Sequence, residues 1–511
     1  MKITLLHPPQ RVSPTNYLST IVLPPLGLAY VAAALEAAGH EVNAVDAIGS
    51  GIHQVYPYDC YHLRGLDHAD TVRRIPEDTE LIGVGCMFSC QWPSTRELIH
   101  RVRERFPGIP IVAGGEHPTA LPELTLEQAP VDYIVLGEGE QTIAELAGCL
   151  SRGEPPGPEF PGIAYRVGGG IQVNRARPRI RDIDTIAPPS WHLFDVKTYL
   201  DYDSPHGAAR GRYMPMLATR GCPYQCTFCT SPQMWTTAWV ARDPDRVIDE
   251  IERYQREHGA KDFHFEDLTA VVRKDWVLQF ARRLQERGLS ISWQLPSGTR
   301  SEAIDRECAD AMYRSGCRLF SYAVESGSKE TLTLIKKKIH LDKVFESARH
   351  AIDAGIRVQF LFIYGFPHER AGHLWKTYRT ILKSAWCGIH EVAISAFFPL
   401  PNTEAFHLLS RERPIPLTDE YFRSLSEFID LRNYKSWNPR LGDRRLQLLI
   451  LFSYLSFFAL SFLVRPWRLA DEILGLCRRR SPGKVGKHLQ QMARNYRTLR
   501  KAPALADRVP G

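Results

Sequence analysis

Two stretches of the chain alternate short apolar runs with longer segments in which apolar residues recur every three or four positions. In residues 1–150 the short runs predict strands and the periodic segments predict helices. The strands are Lys2–Leu6, Glu41–Val45, Leu81–Gly85, Pro110–Ala113 and Asp132–Val135, and the helices are Gly27–Ala38, Ser94–Arg105 and Glu140–Leu150. Such alternation predicts a doubly wound α/β sheet of the flavodoxin or Rossmann type, with a ligand crevice beyond the carboxyl ends of its strands.

The second alternating stretch begins near Met214. Its predicted strands are Met216–Thr219, Asp262–Glu266, Ser292–Leu295, Leu319–Val324, Val358–Ile363 and Glu391–Ala396. Helices are predicted between them at Pro244–His258, Asp275–Arg287, Ser301–Ser315, Leu341–Ala354 and Gly372–Ala385. Six strands and five helices predict an incomplete (β/α)6 TIM barrel, with its chemistry at the carboxyl ends of the strands. We predict four regions: 1–152, a linker with a hairpin at 153–212, the barrel at 213–405, and a helical extension at 406–511.

Three cysteines mark the start of the barrel. Cys222, Cys226 and Cys229 have C-x3-C-x2-C spacing in the segment Arg220–Cys229. Cysteine thiolates hold iron–sulfur clusters, and a cubic cluster normally takes four of them, so three would leave one iron open to a substrate. A structural zinc site closes four ligands, and the next Cys or His, His258, is too distant in sequence to be part of this motif. The alternative is a chance grouping of three buried cysteines.

With Phe228 before the last cysteine, this pattern resembles the radical S-adenosylmethionine (radical SAM) enzymes. The resemblance implies a [4Fe–4S] cluster whose open iron binds the amino and carboxylate groups of SAM and cleaves it to a 5′-deoxyadenosyl radical. It also implies SAM contacts at five positions: Glu266, Asp267, Ser297, Arg300 and Glu325. Glu266 and Asp267 are otherwise helix caps and Arg300 a solvated loop residue, whereas a carboxylate in an apolar run, such as Glu325, must be paired or functional.

Glycine-rich phrases follow several strands of the first region. They resemble those of the cobalamin-binding domain that precedes many radical SAM domains, and they imply cobalamin contacts at Gly27, Ser89, Gly114, Gly115, His117, Gly137, Glu138 and Gly139. The absence of G-x-G-x-x-G argues against a dinucleotide. The D-x-H-x-x-G loop is also absent, so cobalt would receive no histidine from that loop. The alternatives are a domain that binds nothing, a core or loop histidine at His117 and a helix cap at Glu138 or Glu140.

The end of the chain is basic and contains an apolar segment. The formal net charge is +7, but residues 465–501 carry eleven Lys/Arg against two acidic residues, a local +9 that leaves −2 elsewhere. Residues 446–464 have no charge, and this length is borderline for a membrane span, which needs roughly 20 residues. Two arrangements are possible, a helix that spans the membrane and a helix that packs on the barrel and reaches the membrane surface. We favour the second. The segment resembles the extension of the magnesium-protoporphyrin cyclase and hopanoid-enzyme group, and nucleic acid is not an expected partner.

These features together predict a cobalamin-dependent radical SAM enzyme, most simply one that methylates an unactivated carbon of a hydrophobic lipid or polycyclic substrate through a 5′-deoxyadenosyl radical and methylcobalamin. The resemblance implies a flavodoxin or ferredoxin type of electron donor. Eleven cysteines without a disulfide framework, and no signal-peptide pattern in the first residues, favour the cytoplasm, at the inner face of a membrane. One alternative is an oxidative cyclase or rearrangement enzyme that has the same cofactors and acts on a tetrapyrrole or natural product. The other is a non-catalytic cobalamin or lipid sensor.

Overall fold

The computed structural model describes residues 1–13, 15–16, 20–208, 210–430, 432–477 and 484–501. Its N-terminal strands are β1 (Lys2–His7), β2 (Gln10–Val12), β3 (Glu41–Asp46), β4 (Val55–Tyr58), β5 (Tyr61–Arg64), β6 (Leu81–Gly85), β7 (Ile111–Gly114), β8 (Tyr133–Val135), β9 (Ile163–Val167) and β10 (Gly170–Val173). The accompanying helices are α1 (Leu26–Ala37), α2 (Ala47–Ser50), α3 (His68–Arg73), α4 (Trp92–Arg105), α5 (Glu116–Ala120), α6 (Pro122–Gln128), α7 (Gly139–Ser151) and α8 (Val196–Tyr202).

The main N-terminal sheet has the order β10-β9-β8-β7-β6-β1-β3. Its strands from β3 to β8 are parallel and give the flavodoxin-like order 2-1-3-4-5, which confirms the predicted doubly wound fold. The strand order reverses between β1 and β6, so the predicted ligand crevice lies beyond the carboxyl ends of these strands. A separate small sheet, β2-β5-β4, was not predicted from the sequence.

The hairpin and the linker belong more closely to the N-terminal domain than we predicted. Strand β9 pairs antiparallel with β8, so the β9–β10 hairpin extends the main sheet and is not part of a linker. Within residues 174–212, helix α8 carries Tyr199, which is fully buried and donates its hydroxyl proton to the carboxylate of Asp46 at 2.9 Å. This stretch is therefore a packed connection between the two domains.

Six parallel strands form the barrel in the order β11-β14-β15-β16-β17-β18, which confirms the predicted incomplete barrel. The strands of this region are β11 (Tyr213–Met216), β12 (Thr219–Arg220), β13 (Val240–Ala241), β14 (Asp262–Phe265), β15 (Ser292–Thr299), β16 (Cys317–Glu325), β17 (Arg357–Tyr364) and β18 (Glu391–Ala396). Its helices are α9 (Ser231–Trp235), α10 (Pro244–His258), α11 (Lys274–Glu286), α12 (Arg306–Arg314), α13 (Lys329–Leu334), α14 (Leu341–Ala354) and α15 (Ala371–Trp386).

Two predicted barrel elements begin at the wrong place. The first strand lies at β11, three residues earlier than predicted, because the backbone N–H groups of Ala218 and Thr219 bond to the Asp267 side chain and not to a neighbouring strand. The third helix begins at Arg306 and not at Ser301, because β15 continues to Thr299 and the following residues form a loop. Asp305 then caps α12 by accepting a hydrogen bond from the N–H of Cys308 at 3.0 Å.

The C-terminal extension packs on both domains. It comprises α16 (Glu404–Glu412), α17 (Asp419–Ser424), α18 (Asp443–Val464), α19 (Trp467–Cys477) and α20 (Lys484–Lys501). Phe422 of α17 is buried in the core of the N-terminal domain, while α18 packs beside α15 and β18 on the barrel. In α20, Lys487 pairs with Asp203, so part of the basic tail makes internal contacts. Residues 478–480 of the basic tail lie outside the described residues.

Candidate active site at the mouth of the barrel

The cysteine loop is fixed at its start by a buried carboxylate. Asp267, which is 1% exposed, accepts hydrogen bonds from the N–H groups of Ala218 and Thr219 and from the Thr219 hydroxyl at 2.6 Å. Burial raises the pKa of Asp267 to about 6, although these hydrogen bonds oppose the shift. Gly221 has φ +84°, and a side chain there would lie 2.0 Å from the carbonyl oxygen of Ala238. Asp267 therefore positions the loop, and its carboxylate is not available for the SAM contact that we predicted.

The three thiols of the loop are half-buried, and two of them accept hydrogen bonds. The Thr269 hydroxyl donates to the sulfur of Cys222 at 3.3 Å, and the N–H of Ser231 donates to the sulfur of Cys229 at 3.5 Å. Burial raises the pKa of the Cys226 thiol and raises that of Cys229 to about 12, so bound iron is needed to hold them as thiolates. Among the described residues no three potential ligands converge on one metal ion, as expected when each sulfur binds a different iron of a cluster. The loop fits a [4Fe–4S] cluster.

Phe228 holds the far side of the cysteine loop to the barrel. Its ring packs edge-on against Phe366, with 5.6 Å between the ring centroids. The neighbouring residue Thr227 donates its N–H to the carbonyl oxygen of Ile335 at 3.1 Å and accepts a hydrogen bond from the N–H of Ala405 at 2.8 Å. The predicted cofactor residue Phe228 thus has a packing role, and the loop is braced by segments that follow α13 and β18.

Glu266 and Ser297 lie together near the carboxyl ends of the neighbouring strands β14 and β15. Glu266 follows β14, and one carboxylate oxygen lies 2.8 Å from Nδ1 of His206 and accepts a hydrogen bond from the Ser297 hydroxyl at 3.3 Å. The carboxylate is part-buried and lies at the carboxyl ends of the strands, where the predicted SAM site is. The structure therefore brings two of the predicted SAM residues together. His206, from the connection between the domains, was missed because no motif surrounds it.

A buried ion pair joins Glu325 to a residue that the sequence analysis missed. The Nζ atom of Lys337 lies 2.9 Å from a carboxylate oxygen of Glu325, and each side chain is 8% exposed. Burial alone would lower the pKa of Lys337, but Glu325 and the nearby Cys226 thiolate outweigh burial and raise it. Glu325 has φ +65° at a β-bulge where β16 ends. Such backbone outliers cluster at active sites. Lys337 was missed because it lies in the run Lys336–Lys338, which looks like a solvated surface.

Arg300 stacks on the cysteine loop. Its guanidinium lies 3.7 Å from the ring centroid of Tyr224, between the first two cysteines. It also pairs with Glu302 at 2.7 Å and donates to the carbonyl oxygen of Lys338. Because the side chain is 7% exposed, Arg300 is not the solvated loop residue of the alternative interpretation. It ties the cysteine loop to the segment that carries Lys337.

A charged network connects the cysteine loop to the N-terminal domain. Arg220, directly before Gly221, lies 2.5 Å from a carboxylate oxygen of Glu140 and 3.2 Å from one of Glu138. Arg179 pairs with the other oxygen of Glu138 at 2.6 Å. Burial would lower the pKa of Arg220, but the two glutamates outweigh it and raise the value. The predicted cobalamin residue Glu138 is therefore used in contact between domains, and it does not cap α7 with its side chain.

His117 is a core residue. It is fully buried, stacked on Trp92 at 4.6 Å between ring centroids and in edge contact with Phe422. Its Nδ1 atom lies 2.9 Å from the hydroxyl oxygen of Ser89, and burial lowers its pKa to about 3. Gly115 has φ +115°, and a side chain there would lie 2.5 Å from the carbonyl oxygen of Cys86. The structure thus supports the core alternative for His117, and the predicted cobalamin contact is not retained.

Two of the remaining glycines, Gly27 and Gly137, line the crevice at the carboxyl ends of the main sheet. A side chain at Gly27 would lie 3.9 Å from the end of Met87, and one at Gly137 would lie 3.7 Å from the carbonyl oxygen of Met234. Gly114 and Gly139 pack against valines, so they do not point to a ligand. Met87 and Phe88, which follow β6, are 46% and 50% exposed. Large exposed apolar side chains at a strand order reversal fit a bulky ligand such as cobalamin.

Comparisons with known families agree with this arrangement. The B12 binding domain family matches residues 19–147, and the Radical SAM superfamily matches residues 216–381. The chain is 30% identical over 371 residues to cytidylyl-2-hydroxyethylphosphonate methyltransferase of Streptomyces wedmorensis, covering 67% of this chain and 69% of the relative. It is 25% identical to hopanoid C-3 methylase of Methylococcus capsulatus (81% and 73%) and 27% identical to anaerobic magnesium-protoporphyrin IX monomethyl ester cyclase of Cereibacter sphaeroides (80% and 64%).

Two solved structures share the fold. The radical SAM methyltransferase TsrM of Kitasatospora setae, solved with cobalamin and a [4Fe–4S] cluster, superimposes with a TM-score of 0.66 at 18% identity over 90% of this chain and 88% of its own. The cobalamin-dependent SAM radical enzyme OxsB, solved with aqua-cobalamin and SAM, gives 0.67 at 16% identity over 98% and 79%. Together with the family matches, these likenesses assign cobalamin, a [4Fe–4S] cluster and SAM as the cofactors of this chain.

Proposed function

Since this chain belongs to the cobalamin-binding radical SAM enzymes, we propose that it methylates an unactivated carbon of an apolar substrate. Its family and relatives make it a radical SAM enzyme of the methyltransferase kind. The reaction at an unactivated carbon and the apolar substrate are what we propose beyond that family assignment.

One observation carries the proposal: the cysteine loop and the cobalamin domain are joined directly. Arg220 precedes the first cysteine by two positions. It is bonded to Glu138, in the loop after β8, and to Glu140, in the first turn of α7. The guanidinium also stacks on Tyr30 of α1, at 5.1 Å from the ring centroid. An enzyme that uses radical formation and methyl transfer on one carbon needs both cofactor sites to face one substrate. The network supports such a fixed arrangement.

The residues at the barrel mouth would bind and orient the cluster and SAM. When bound, the reduced cluster and SAM supply a hydrogen-abstracting radical, and cobalamin supplies a methyl carrier. Cys222, Cys226 and Cys229 would ligate the cluster. Glu266, supported by Ser297, would accept charge-assisted hydrogen bonds from the amino group of SAM. The Glu325–Lys337 pair presents both signs of charge beside the cysteine loop and suits the amino and carboxylate groups of one amino acid moiety.

The substrate and the electron donor are inferred from surface and chemistry. An apolar substrate is supported by the exposed Met87 and Phe88 in the crevice and by the hopanoid methylase among the relatives. A cluster with one open iron needs one-electron reduction, for which we propose a flavodoxin or ferredoxin type of donor in the cytoplasm. Lys338 is exposed beside the cysteine loop and would favour an acidic donor, whereas the neighbouring Lys336 already pairs with Glu404.

The test is an anaerobic assay of both SAM products. The protein is purified with cobalamin, its cluster is reconstituted, and 5′-deoxyadenosine and S-adenosylhomocysteine are measured after SAM and reductant are added. Both products in comparable amounts, in the presence of an apolar acceptor such as a hopanoid, would support methyl transfer. Deoxyadenosine without S-adenosylhomocysteine would favour a cyclase, the activity named for one relative. Neither product after verified reconstitution would favour a sensor.

A further inference from the structure

Helix α18 exposes large apolar side chains, while two of its three serines are buried. Its buried face consists of Leu446, Ile450, Ser453, Phe457 and Ser461. On the opposite side, five large apolar side chains are each more than half exposed: Leu448, Leu451, Phe452, Leu455 and Leu463. A surface helix of a protein in water normally shows the reverse pattern, with its polar residues outward. This exposed stripe therefore calls for an apolar partner.

The serines fasten α18 to the barrel. Ser453 and the Tyr364 hydroxyl are 3.2 Å apart, and the Tyr378 hydroxyl donates to Ser456 at 3.1 Å. At the end of the helix, the Arg468 guanidinium donates to the Ser461 hydroxyl at 3.2 Å. Among the described residues α18 is the one helix long and apolar enough to cross a bilayer. Crossing would expose these hydroxyls and their barrel partners to hydrocarbon, which is costly, so the contacts favour a helix that stays on the barrel.

Helix α15 joins α18 in one continuous surface. Trp375 stacks on Tyr378 at 5.5 Å between ring centroids, and Tyr378 stacks on Phe452 at 5.5 Å. At the other end, Arg465 donates hydrogen bonds to the carbonyl oxygens of Ala385 and Trp386, each at 3.1 Å. We define the apolar face as the exposed side chains of these helices and of the start of α19: Trp375, Trp386, Leu448, Leu451, Phe452, Leu455, Leu463 and Trp467.

Cationic side chains accompany the apolar face. Lys376 and Arg379 are exposed on α15 between its two exposed tryptophans, and Arg444 and Arg445 are exposed at the start of α18. Exposed tryptophans beside lysine and arginine are typical of the membrane–water interface, where the rings lie at headgroup level and the cations meet anionic lipid. The buried core of a protein–protein interface is enriched in tryptophan and arginine but depleted in lysine. The exposed Lys376 directly beside Trp375 thus favours lipid over a second copy of the chain.

We propose that the apolar face seats this protein on an anionic lipid surface as a monotopic protein, with α18 lying along the interface and not across the bilayer. The helix is about 33 Å long, at 1.5 Å per residue for 22 residues. Its first turn lies at the barrel mouth, where Leu446 packs against Gly365 directly after β17. The proposal stands on surface chemistry and does not depend on which reaction the enzyme performs.

The test is co-sedimentation of the full-length protein with phosphatidylcholine vesicles, with and without phosphatidylglycerol. We expect binding, and we expect the double variant Leu451→Glu/Leu455→Glu to weaken it at least about tenfold, because each change places a charge in the inserted face. The control is Leu408→Glu/Leu489→Glu, which changes two leucines of similar exposure outside the apolar face and should bind within about twofold of the wild type. No vesicle binding, or equal weakening in both variants, would overturn the proposal.

Two further measurements separate the competing occupants of the face. Arg444→Gln/Arg445→Gln should weaken binding about threefold to tenfold on vesicles that contain phosphatidylglycerol, and leave binding to phosphatidylcholine alone unchanged. An alkaline carbonate wash should release the bound protein; retention would show a spanning helix and contradict the monotopic arrangement. If analytical ultracentrifugation shows a dimer that Leu451→Glu/Leu455→Glu dissociates, and no vesicles are bound, then the face is a self-association surface and the lipid proposal is wrong.

Discussion

The mouth of the barrel and the crevice of the N-terminal domain both carry residues that the sequence marked as cofactor contacts, but they use them differently. At the barrel mouth, Glu266, Ser297 and Glu325 lie at or near strand ends around the cysteine loop. Ser297 donates to Glu266 at 3.3 Å, and Glu325 pairs with Lys337 at 2.9 Å. In the N-terminal domain, His117 is buried in the core and Glu138 is held by arginines. We propose that Glu266, Ser297 and Glu325 contact SAM at the barrel mouth, whereas His117 and Glu138 hold the N-terminal domain together.

The difference follows from the size and chemistry of the two ligands. SAM is small and charged, so its site needs a few polar side chains at fixed places, and a motif can mark them. Cobalamin is large, and a protein can hold it largely through backbone and shape, which leaves few obligatory side chains. The glycines that remain in the crevice, such as Gly27 and Gly137, agree with that reading.

The largest expected effect is at the cysteine loop. Cys226→Ala should abolish 5′-deoxyadenosine formation, because the cluster would lose one of three protein ligands. Cys60→Ala, which changes an exposed cysteine of the small N-terminal sheet, is the matched control and should keep wild-type activity. Iron content and deoxyadenosine yield are measured together. Substantial deoxyadenosine formation by Cys226→Ala would show that SAM cleavage does not depend on the cysteine motif. The barrel mouth would then no longer differ from the N-terminal crevice in its use of motif residues.

A second substitution tests whether Glu138 and Glu140 serve structure and not cobalamin. Arg220→Gln leaves both glutamates buried without their shared cation, which should lower the free energy of unfolding by about 3–5 kcal/mol. Arg273→Gln, at an arginine that is 61% exposed and pairs with Asp275, should change it by less than about 0.5 kcal/mol. Denaturant unfolding is measured anaerobically with and without added cobalamin.

The two interpretations of Glu138 predict different results. If the glutamates hold the domains, Arg220→Gln destabilises the protein with or without cobalamin, and the affinity for cobalamin falls only through the altered domain contact. If they bind cobalamin directly, Glu138→Gln would weaken cobalamin binding more than it destabilises the cobalamin-free protein. That second outcome would contradict the contrast between the barrel mouth and the N-terminal crevice, because both regions would then bind their ligands with acidic side chains.

Much of the fold could be predicted because its signals are local. The barrel strands are apolar runs between amphipathic helices, so strands such as Val358–Ile363 were located to within a residue or two. The first barrel strand was misplaced because the determinant, the Asp267 side chain, lies 48 residues further along the chain from Thr219. In the same way, the sequence analysis placed the hairpin in the linker because the periodicity of apolar residues does not show that β9 pairs with β8.

The site could be predicted where chemistry fixes the spacing, as in the cysteine triad, and less well where a residue depends on distant partners. His117 lies in a glycine-rich phrase that suggests a ligand, yet its environment is set by Phe422, some 300 residues away. The Glu325 carboxylate was identified because an acidic group in an apolar run needs a partner. Its partner Lys337 was not, because three consecutive lysines look like a solvated surface.

The next largest effect is expected at the ion pair between Glu325 and Lys337. Glu325→Gln should raise the KM for SAM about tenfold to a hundredfold, because a charge-assisted hydrogen bond contributes about 1.5–3 kcal/mol. It also leaves Lys337 buried without its anion and destabilises the fold. The double variant Glu325→Gln/Lys337→Met removes the unpaired charge and should recover stability without recovering SAM affinity. Glu330→Gln, at an exposed glutamate paired with His373, is the control. Recovery of SAM affinity in the double variant would show a structural pair like that of Glu138.

The smallest expected effect separates Asp267 from Glu266, its neighbour at the barrel mouth. The native pKa of Asp267 is about 6, above the value of about 3.9 for an unfolded chain. The native state therefore binds the proton of the Asp267 carboxyl group more tightly than the unfolded state does. The stability that Asp267 contributes is greatest below pH 4 and is lost as the pH rises through 6.

Asp267→Asn keeps an oxygen that can accept from Ala218 and Thr219 but does not titrate. The free energy of unfolding of the wild type minus that of Asp267→Asn should fall by at most about 2 kcal/mol from pH 4 to 6.5 and then stay constant. Urea unfolding at several pH values measures it. A difference that rises with pH would mean that the backbone hydrogen bonds outweigh burial. Because this carboxylate serves the loop, SAM affinity at pH 7.5 should change less than about threefold, and a larger loss would return Asp267 to the ligand-binding set beside Glu266.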